Sequence, residues 1–231
     1  GKVFSIRELV LLGYIAVPGM LITAANGVAD KFLLSKFLSL EAVGLYSLGF
    51  LISVGFGRVL VSGILRANSI YFMRYLQRGD FMNANVILKR SEFLICGFSI
   101  VAFVGYYTFG EELVMIILGE KYVLAYPLML SLFIAVMLEG MVFFLGQALI
   151  QKKKLYLLVI NNFVVLCLAV SLNYLLIPVF GVSGPAIVLF VSYWVTLLVV
   201  FYQVKSIAQW VRFPRYIFAT ATFIFMFNQL Y

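Results

Sequence analysis

The sequence predicts an all-α membrane protein, a polytopic bundle of about seven transmembrane helices. Of its 231 residues, 65% are hydrophobic and 11% are charged. Soluble domains are about 45–50% apolar and about 25% charged. The apolar residues form long runs, each near the ~20 residues that a helix needs to cross a bilayer. The basic residues lie in short connections between these runs.

Seven apolar runs mark the predicted helices. They cover residues 9–28, 43–65, 93–109, 126–150, 155–177, 184–204 and 216–230, of which the third and the last are short. Helices are expected because backbone in lipid must satisfy its own hydrogen bonds, and because the runs are too uniformly apolar for barrel strands. Residues 1–231 are therefore predicted to form a single transmembrane domain.

The charges of the connections predict the orientation. The connections after the second, fourth and sixth runs are basic, whereas those after the first, third and fifth are balanced, acidic or uncharged. Since cytoplasmic loops are enriched in Lys and Arg, this alternation predicts a cytoplasmic N-terminus and an external Tyr231. The same rule explains the net charge of +8 without nucleic acid as a partner.

One basic connection has a distinct pattern. Residues 70–88 interleave aromatic and aliphatic side chains with Arg74, Arg78 and Asp80. This pattern is typical of an amphipathic helix that lies on anionic headgroups. A plain solvated loop is the alternative.

Several chemistries lack support in the sequence. There is no histidine, and Cys96 and Cys167 both lie within apolar runs. Neither a metal site nor a disulfide framework is therefore predicted. A glycine-rich phosphate loop of the Walker type is also absent, so the chain is not expected to be an ATPase or to hold a cofactor.

Arg58 is the main candidate for a functional residue. It is the only charge between Leu45 and Leu65. Arginine at this depth costs at least ~2.5 kcal/mol on insertion scales, so it usually faces the bundle interior. Helical spacing places Ser62 and Arg66 on the same side. We expect the three to line a cavity that handles an anion, although Arg58 would alternatively snorkel or form a structural ion pair, and Arg66 also fits an interfacial anchor.

Four other polar residues are candidates for coupling-ion or cavity contacts. Glu139 is a lone carboxylate in the fourth run, which either pairs, with Arg58 for example, or takes up a proton. Asn26 and Asp30 share one face of the first run, and Asn162 lies in the fifth. Interhelical hydrogen bonding is the alternative role for the asparagines.

Three segments carry a family resemblance. Residues 30–47 begin Asp-Lys-Phe-Leu-Leu-Ser, residues 118–127 begin Leu-Gly-Glu-Lys-Tyr, and residues 172–186 contain the pattern N-x-x-L-I-P-x-F-G-x-x-G-x-A. In this order they resemble the C-terminal half of Wzx-type polysaccharide flippases. These belong to the multidrug/oligosaccharidyl-lipid/polysaccharide exporter superfamily. The chain looks like the second of two helix bundles, so an N-terminal half is expected to be missing from it.

The resemblance implies a transporter rather than an enzyme, located in a bacterial inner membrane. The implied cargo is an undecaprenyl-diphosphate-linked oligosaccharide, flipped from the inner to the outer leaflet among membrane lipids for O-antigen, capsule or exopolysaccharide export. Alternating access coupled to H⁺ or Na⁺ is expected, with Glu139 or Asp30 as the coupling residue. Arg58 would contact the diphosphate, because arginine pairs with phosphate oxygens through a bidentate fork.

Three other functions stay open at this point. A multidrug exporter of the same superfamily is one, and a non-catalytic structural membrane subunit is another. The third is a membrane-embedded glycan polymerase or ligase, and the short outer connections argue against it because such an enzyme needs a sizeable external loop to hold its substrate.

Overall fold

The computed structural model describes residues 6–207, 211 and 214–230, and these form an all-α bundle. Its helices are α1 (Ile6–Phe37), α2 (Leu40–Arg78), α3 (Phe81–Leu118), α4 (Tyr126–Gln151), α5 (Leu155–Phe180), α6 (Gly184–Ile207) and α7 (Arg215–Leu230). Each predicted apolar run lies within one of these helices, in order, which confirms the predicted fold class. Tyr231 and part of the connection between α6 and α7 lie outside the described residues.

The helices are suited to a membrane. Among the described residues, four helical stretches are long and apolar enough to cross one: Leu40–Arg78, Phe81–Leu118, Tyr126–Gln151 and Leu155–Ser206, the last of which comprises α5 and α6. The apolar part of α7, Arg215–Met226, is shorter. By length and composition the chain is thus a multi-pass membrane protein.

α4 is the central helix of the bundle. Its side chains are buried around most of its circumference, as expected for a helix whose sequence is apolar on every side. α2 and α6 pack on it most extensively, α7 and α3 cover further parts of it, and α5 packs against α1 and α6. Gly140 permits the close approach of α2, since a Cβ atom there would overlap Val61 Cγ1.

α2 and α3 form a long antiparallel hairpin with a two-residue turn. Gly79 is left-handed, with φ 74°, and its amide donates to the Leu76 carbonyl. Glycine suits this position because other residues rarely adopt positive φ. Asp80 then caps α3, with its carboxylate accepting from the Asn83 backbone amide at 3.2 Å.

The hairpin corrects one expectation. Residues 70–88 are not a single amphipathic helix, because they comprise the last turns of α2, the turn itself and the first turns of α3. With 39 and 38 residues, the two helices are about 58 and 57 Å long, against a hydrocarbon core of ~30 Å. The location of this segment at the membrane surface stays a prediction.

The first turn of α7 is held by a residue of α3. Pro214 precedes the helix and has no side-chain acceptor with which to cap it. The buried Glu92 carboxylate takes this role, accepting from the backbone amides of Tyr216 at 2.7 Å and Ile217 at 3.3 Å. This contact places the start of α7 beside the hairpin, at the same end of the bundle as the lysine-rich turn between α4 and α5.

Candidate functional site

An ion pair joins α2 to the central helix. Arg58 Nη2 lies 3.0 Å from Glu139 Oε1, and Arg58 Nε lies 3.2 Å from Glu139 Oε2. Two parallel N–H···O bonds of this kind fix the planes of the two groups relative to each other. The pairing anticipated as one alternative is therefore present in the structure.

Tyr193 on α6 completes this group. Its hydroxyl interacts with both Arg58 and Glu139. A tyrosine hydroxyl can both donate and accept, so it suits a position beside a guanidinium and a carboxylate. Three helices, α2, α4 and α6, thus meet at one polar cluster.

The ion pair opens onto a cavity instead of being sealed. The Arg58 side chain is 55% exposed and that of Glu139 is 29% exposed. Both line a cavity of about 410 Å³ between α2 and α4, together with Ser62 and Arg66, while Phe143 contributes an apolar wall. The structure therefore brings together all three residues predicted to contact an anion, and adds Glu139 to them.

The cavity has more positive than negative charge. Two guanidiniums face one carboxylate there. A guanidinium has five N–H donors. Arg58 directs two of them at Glu139, which leaves three N–H groups for the neighbouring Tyr193 hydroxyl and for a further acceptor. The Ser62 hydroxyl donates to the Val59 carbonyl at 3.2 Å and still offers its oxygen as an acceptor to the cavity.

Asp30 belongs to a different contact. It is buried between α1 and α2, where its carboxylate accepts from the Tyr46 hydroxyl at 2.6 Å and from the Lys31 backbone amide at 2.8 Å. Of the described residues that line the Arg58 cavity, none comes from α1. The two carboxylates predicted for coupling are therefore placed separately.

Asn26 and Asn162 meet at the interface of α1 and α5. Asn26 Nδ2 donates to the Asn162 carbonyl at 3.4 Å, and Asn162 Nδ2 donates to Thr23 Oγ1 at 3.5 Å. These distances are long for hydrogen bonds. Thr23 and Asn162 also line a groove of about 540 Å³ beside this interface. The geometry fits the interhelical role, and a ligand contact stays a prediction.

Sequence reasoning missed Tyr193 and Tyr46. Both are single tyrosines in apolar stretches, where a hydroxyl withdrawn from water requires a polar partner. Their partners are carboxylates: Glu139 lies within an apolar run, and Asp30 lies just past the end of one. Because a tyrosine and a carboxylate in apolar surroundings each need a polar partner, pairing the two kinds of residue could have identified both tyrosines.

Comparison with known proteins identifies a related fold. No family model and no curated protein matches the sequence. A solved structure described as the outward-facing conformation of a multidrug resistance MATE family transporter of the MOP superfamily is similar, with a TM-score of 0.64 and 20% identity. The chain shares the fold of part of that transporter. The match covers 81% of this chain and 43% of the MATE chain, so this chain corresponds to less than half of the transporter's length.

Proposed function

We propose that this chain is part of a MOP-superfamily transporter that moves an undecaprenyl-diphosphate-linked oligosaccharide across a bacterial inner membrane. The observation that carries the proposal is the half-exposed Arg58 guanidinium, which faces a cavity within a bundle of the transporter fold. Charges at such depth usually mark a substrate path. The three segments that resemble Wzx-type flippases support a glycan cargo.

The diphosphate of the cargo would bind at the Arg58 end of the cavity. Its oxygens match the planar fork of the guanidinium, and Arg66 supplies a second positive charge. Glu139 competes for the same donors in the structure described here. An arriving diphosphate would therefore exchange with the carboxylate at Arg58.

Coupling to H⁺ or Na⁺ is part of the proposal. A carboxylate that loses its guanidinium partner in a place of low dielectric favours uptake of a cation. Glu139 is better placed for this role than Asp30, because Glu139 lines the cavity and Asp30 does not. Alternating access would require the second bundle that the family resemblance implies, and the match to the MATE transporter covers only 43% of that chain.

A multidrug exporter is the second candidate function. The similar solved structure is a multidrug resistance transporter. In this reading Glu139 would attract a cationic drug, and Arg58 would be displaced from it. The positive balance of charge in the cavity favours the anionic cargo.

Replacing Arg58 tests the proposal. In cells whose surface glycan depends on this transporter, Arg58→Ala is expected to abolish glycan export at normal protein abundance. Arg58→Lys is expected to restore part of it, because lysine keeps the charge and loses the bidentate fork. Surface glycan and membrane abundance are measured together.

Two controls separate binding from folding. Arg58→Ala strands a partly buried carboxylate, which itself destabilises a protein. The double variant R58A/E139Q removes both charges and is expected to remain inactive. Lys121→Ala, at the exposed ion pair with Glu41, is expected to export normally. Full export by R58A, or by the double variant, would contradict the proposed role of the guanidinium.

A further inference from the structure

The outward face of the α2–α3 hairpin combines basic and apolar side chains. The inward face is already packed, with Phe72 and Leu76 of α2 and Ala84 and Leu88 of α3 buried in the core. On the opposite sides of the two helices lies a surface that we name the outer stripe. Its members are Ile70, Tyr71, Arg74, Arg78, Met82, Val86, Lys89 and Arg90.

The spacing shows that these residues form one surface. Positions 70, 74 and 78 of α2, and 82, 86 and 90 of α3, follow the i, i+4, i+8 repeat of one helix face. All eight members are exposed. The four apolar members are each more than half exposed, which is unusual for large apolar side chains unless they meet lipid or a partner.

The charge of the stripe is strongly positive. Arg74, Arg78, Lys89 and Arg90 are all basic. Of the acids nearby, Asp80 caps α3, and the buried Glu92 accepts from the first backbone amides of α7. Arg74 also lies 5.9 Å from the Tyr71 ring centre, which keeps its charge beside an aromatic side chain. Apolar side chains interleaved with Lys and Arg are typical of surfaces at a lipid headgroup layer.

The position along the helices fits the same conclusion. The stripe starts five residues past Leu65, where the apolar run of α2 ends, so it begins about 8 Å beyond the hydrocarbon boundary, at the outer edge of the headgroup layer. Clusters of four or more basic residues at this location are characteristic of anionic-lipid binding. We propose that the outer stripe binds anionic phospholipid headgroups of the leaflet at the basic end of the bundle.

Fluorescence quenching in lipid discs tests this proposal. Tyr71→Trp places a tryptophan within the stripe, and its signal is taken as the difference from the parent chain, which has Trp194 and Trp210. Phosphatidylglycerol and phosphatidylcholine, brominated near the headgroup, are compared at equal mole fraction. We expect stronger quenching by the anionic lipid, and weaker preference in high salt.

Charge variants give the decisive comparison. In R74Q/R78Q/K89Q/R90Q the preference for phosphatidylglycerol is expected to fall by about five-fold for each charge removed. K152Q/K153Q/K154Q is the matched control, because it removes basic residues at the same end without touching the stripe. Equal quenching by the two lipids would overturn the proposal. So would a loss of preference in the lysine variant equal to that in the stripe variant, since only bulk charge would then matter.

Discussion

The contact between Glu92 and α7 leads to a quantitative prediction. Glu92→Ala leaves the amides of Tyr216 and Ile217 without their acceptor, and Pro214 offers no side chain to replace it. Loss of an N-cap costs about 0.5–2 kcal/mol, and a buried donor left unbonded costs about 1–3 kcal/mol. The longer bond to Ile217 contributes less than the bond to Tyr216. The two losses together should therefore make opening of the first turn of α7 easier by about 2–4 kcal/mol.

Hydrogen exchange measures this quantity directly. At 1.36 kcal/mol for each factor of ten, the exchange of the amides of Tyr216 and Ile217 should accelerate by about 30- to 1,000-fold in Glu92→Ala. Glu92→Gln retains an acceptor and loses only the attraction of a charge for the helix N-terminus. That attraction is worth about 0.3–1 kcal/mol, so the acceleration should stay below about ten-fold.

A matched variant on the same helix controls for general loosening. Glu112→Ala removes an exposed carboxylate from the other end of α3 and should leave the exchange of the α7 amides unchanged. If Glu92→Ala exchanged at the parental rate, or if Gln and Ala had equal effects, the carboxylate would not be the cap that the distances indicate.

Two further predictions concern the hairpin turn and the contact between α2 and α4. Hydrogen bonds from the Asn83 side chain and backbone lower the pKa of Asp80 below its ordinary value of 3.8, so the stability of this cap is present above that pH and is lost as the pH falls through the lowered pKa. Unfolding followed by circular dichroism should show this acid-dependent loss in the parent, and Asp80→Asn, which still caps but does not titrate, should lack it. Gly140→Ala forces a Cβ atom against Val61 and should lower the melting temperature by about 2–12 °C, from about 1–3 kcal/mol of overpacking. Gly55→Ala, which meets open space, should melt like the parent, and equal melting of the two alanine variants would contradict this packing argument.

The sequence was sufficient for the helices but not for their ends. Long apolar runs identify helices because lipid permits little else. The apolar runs mark only the part of each helix that lies in lipid, however, and α2 and α3 continue as helices well beyond their runs. The break between them was readable from Gly79 and Asp80, a left-handed cap followed by an N-cap, but the amphipathic pattern of residues 70–88 obscured it.

The candidate site was predicted in part. A single charge in an apolar run is a strong signal, so Arg58 and Glu139 could be recognised individually, and helical spacing placed Ser62 and Arg66 with Arg58. Their meeting with Tyr193 depends on how α2, α4 and α6 pack, and packing between helices leaves little trace in one sequence. Asp30 was grouped with Glu139 by chemistry alone, whereas its position on α1 directs it to Tyr46.

Glu139 lies on a buried helix and Arg58 on an exposed one, and this difference has a consequence for ligand binding. Glu139 belongs to α4, which its neighbours hold on nearly every side, while Arg58 belongs to α2, which is exposed along much of its length. An anion that draws the guanidinium away would therefore move a side chain of α2 and leave the carboxylate where it is. The apolar packing of Val61 on Gly140 would still hold the two helices together, so the exchange of partners at Arg58 needs no separation of α2 from α4.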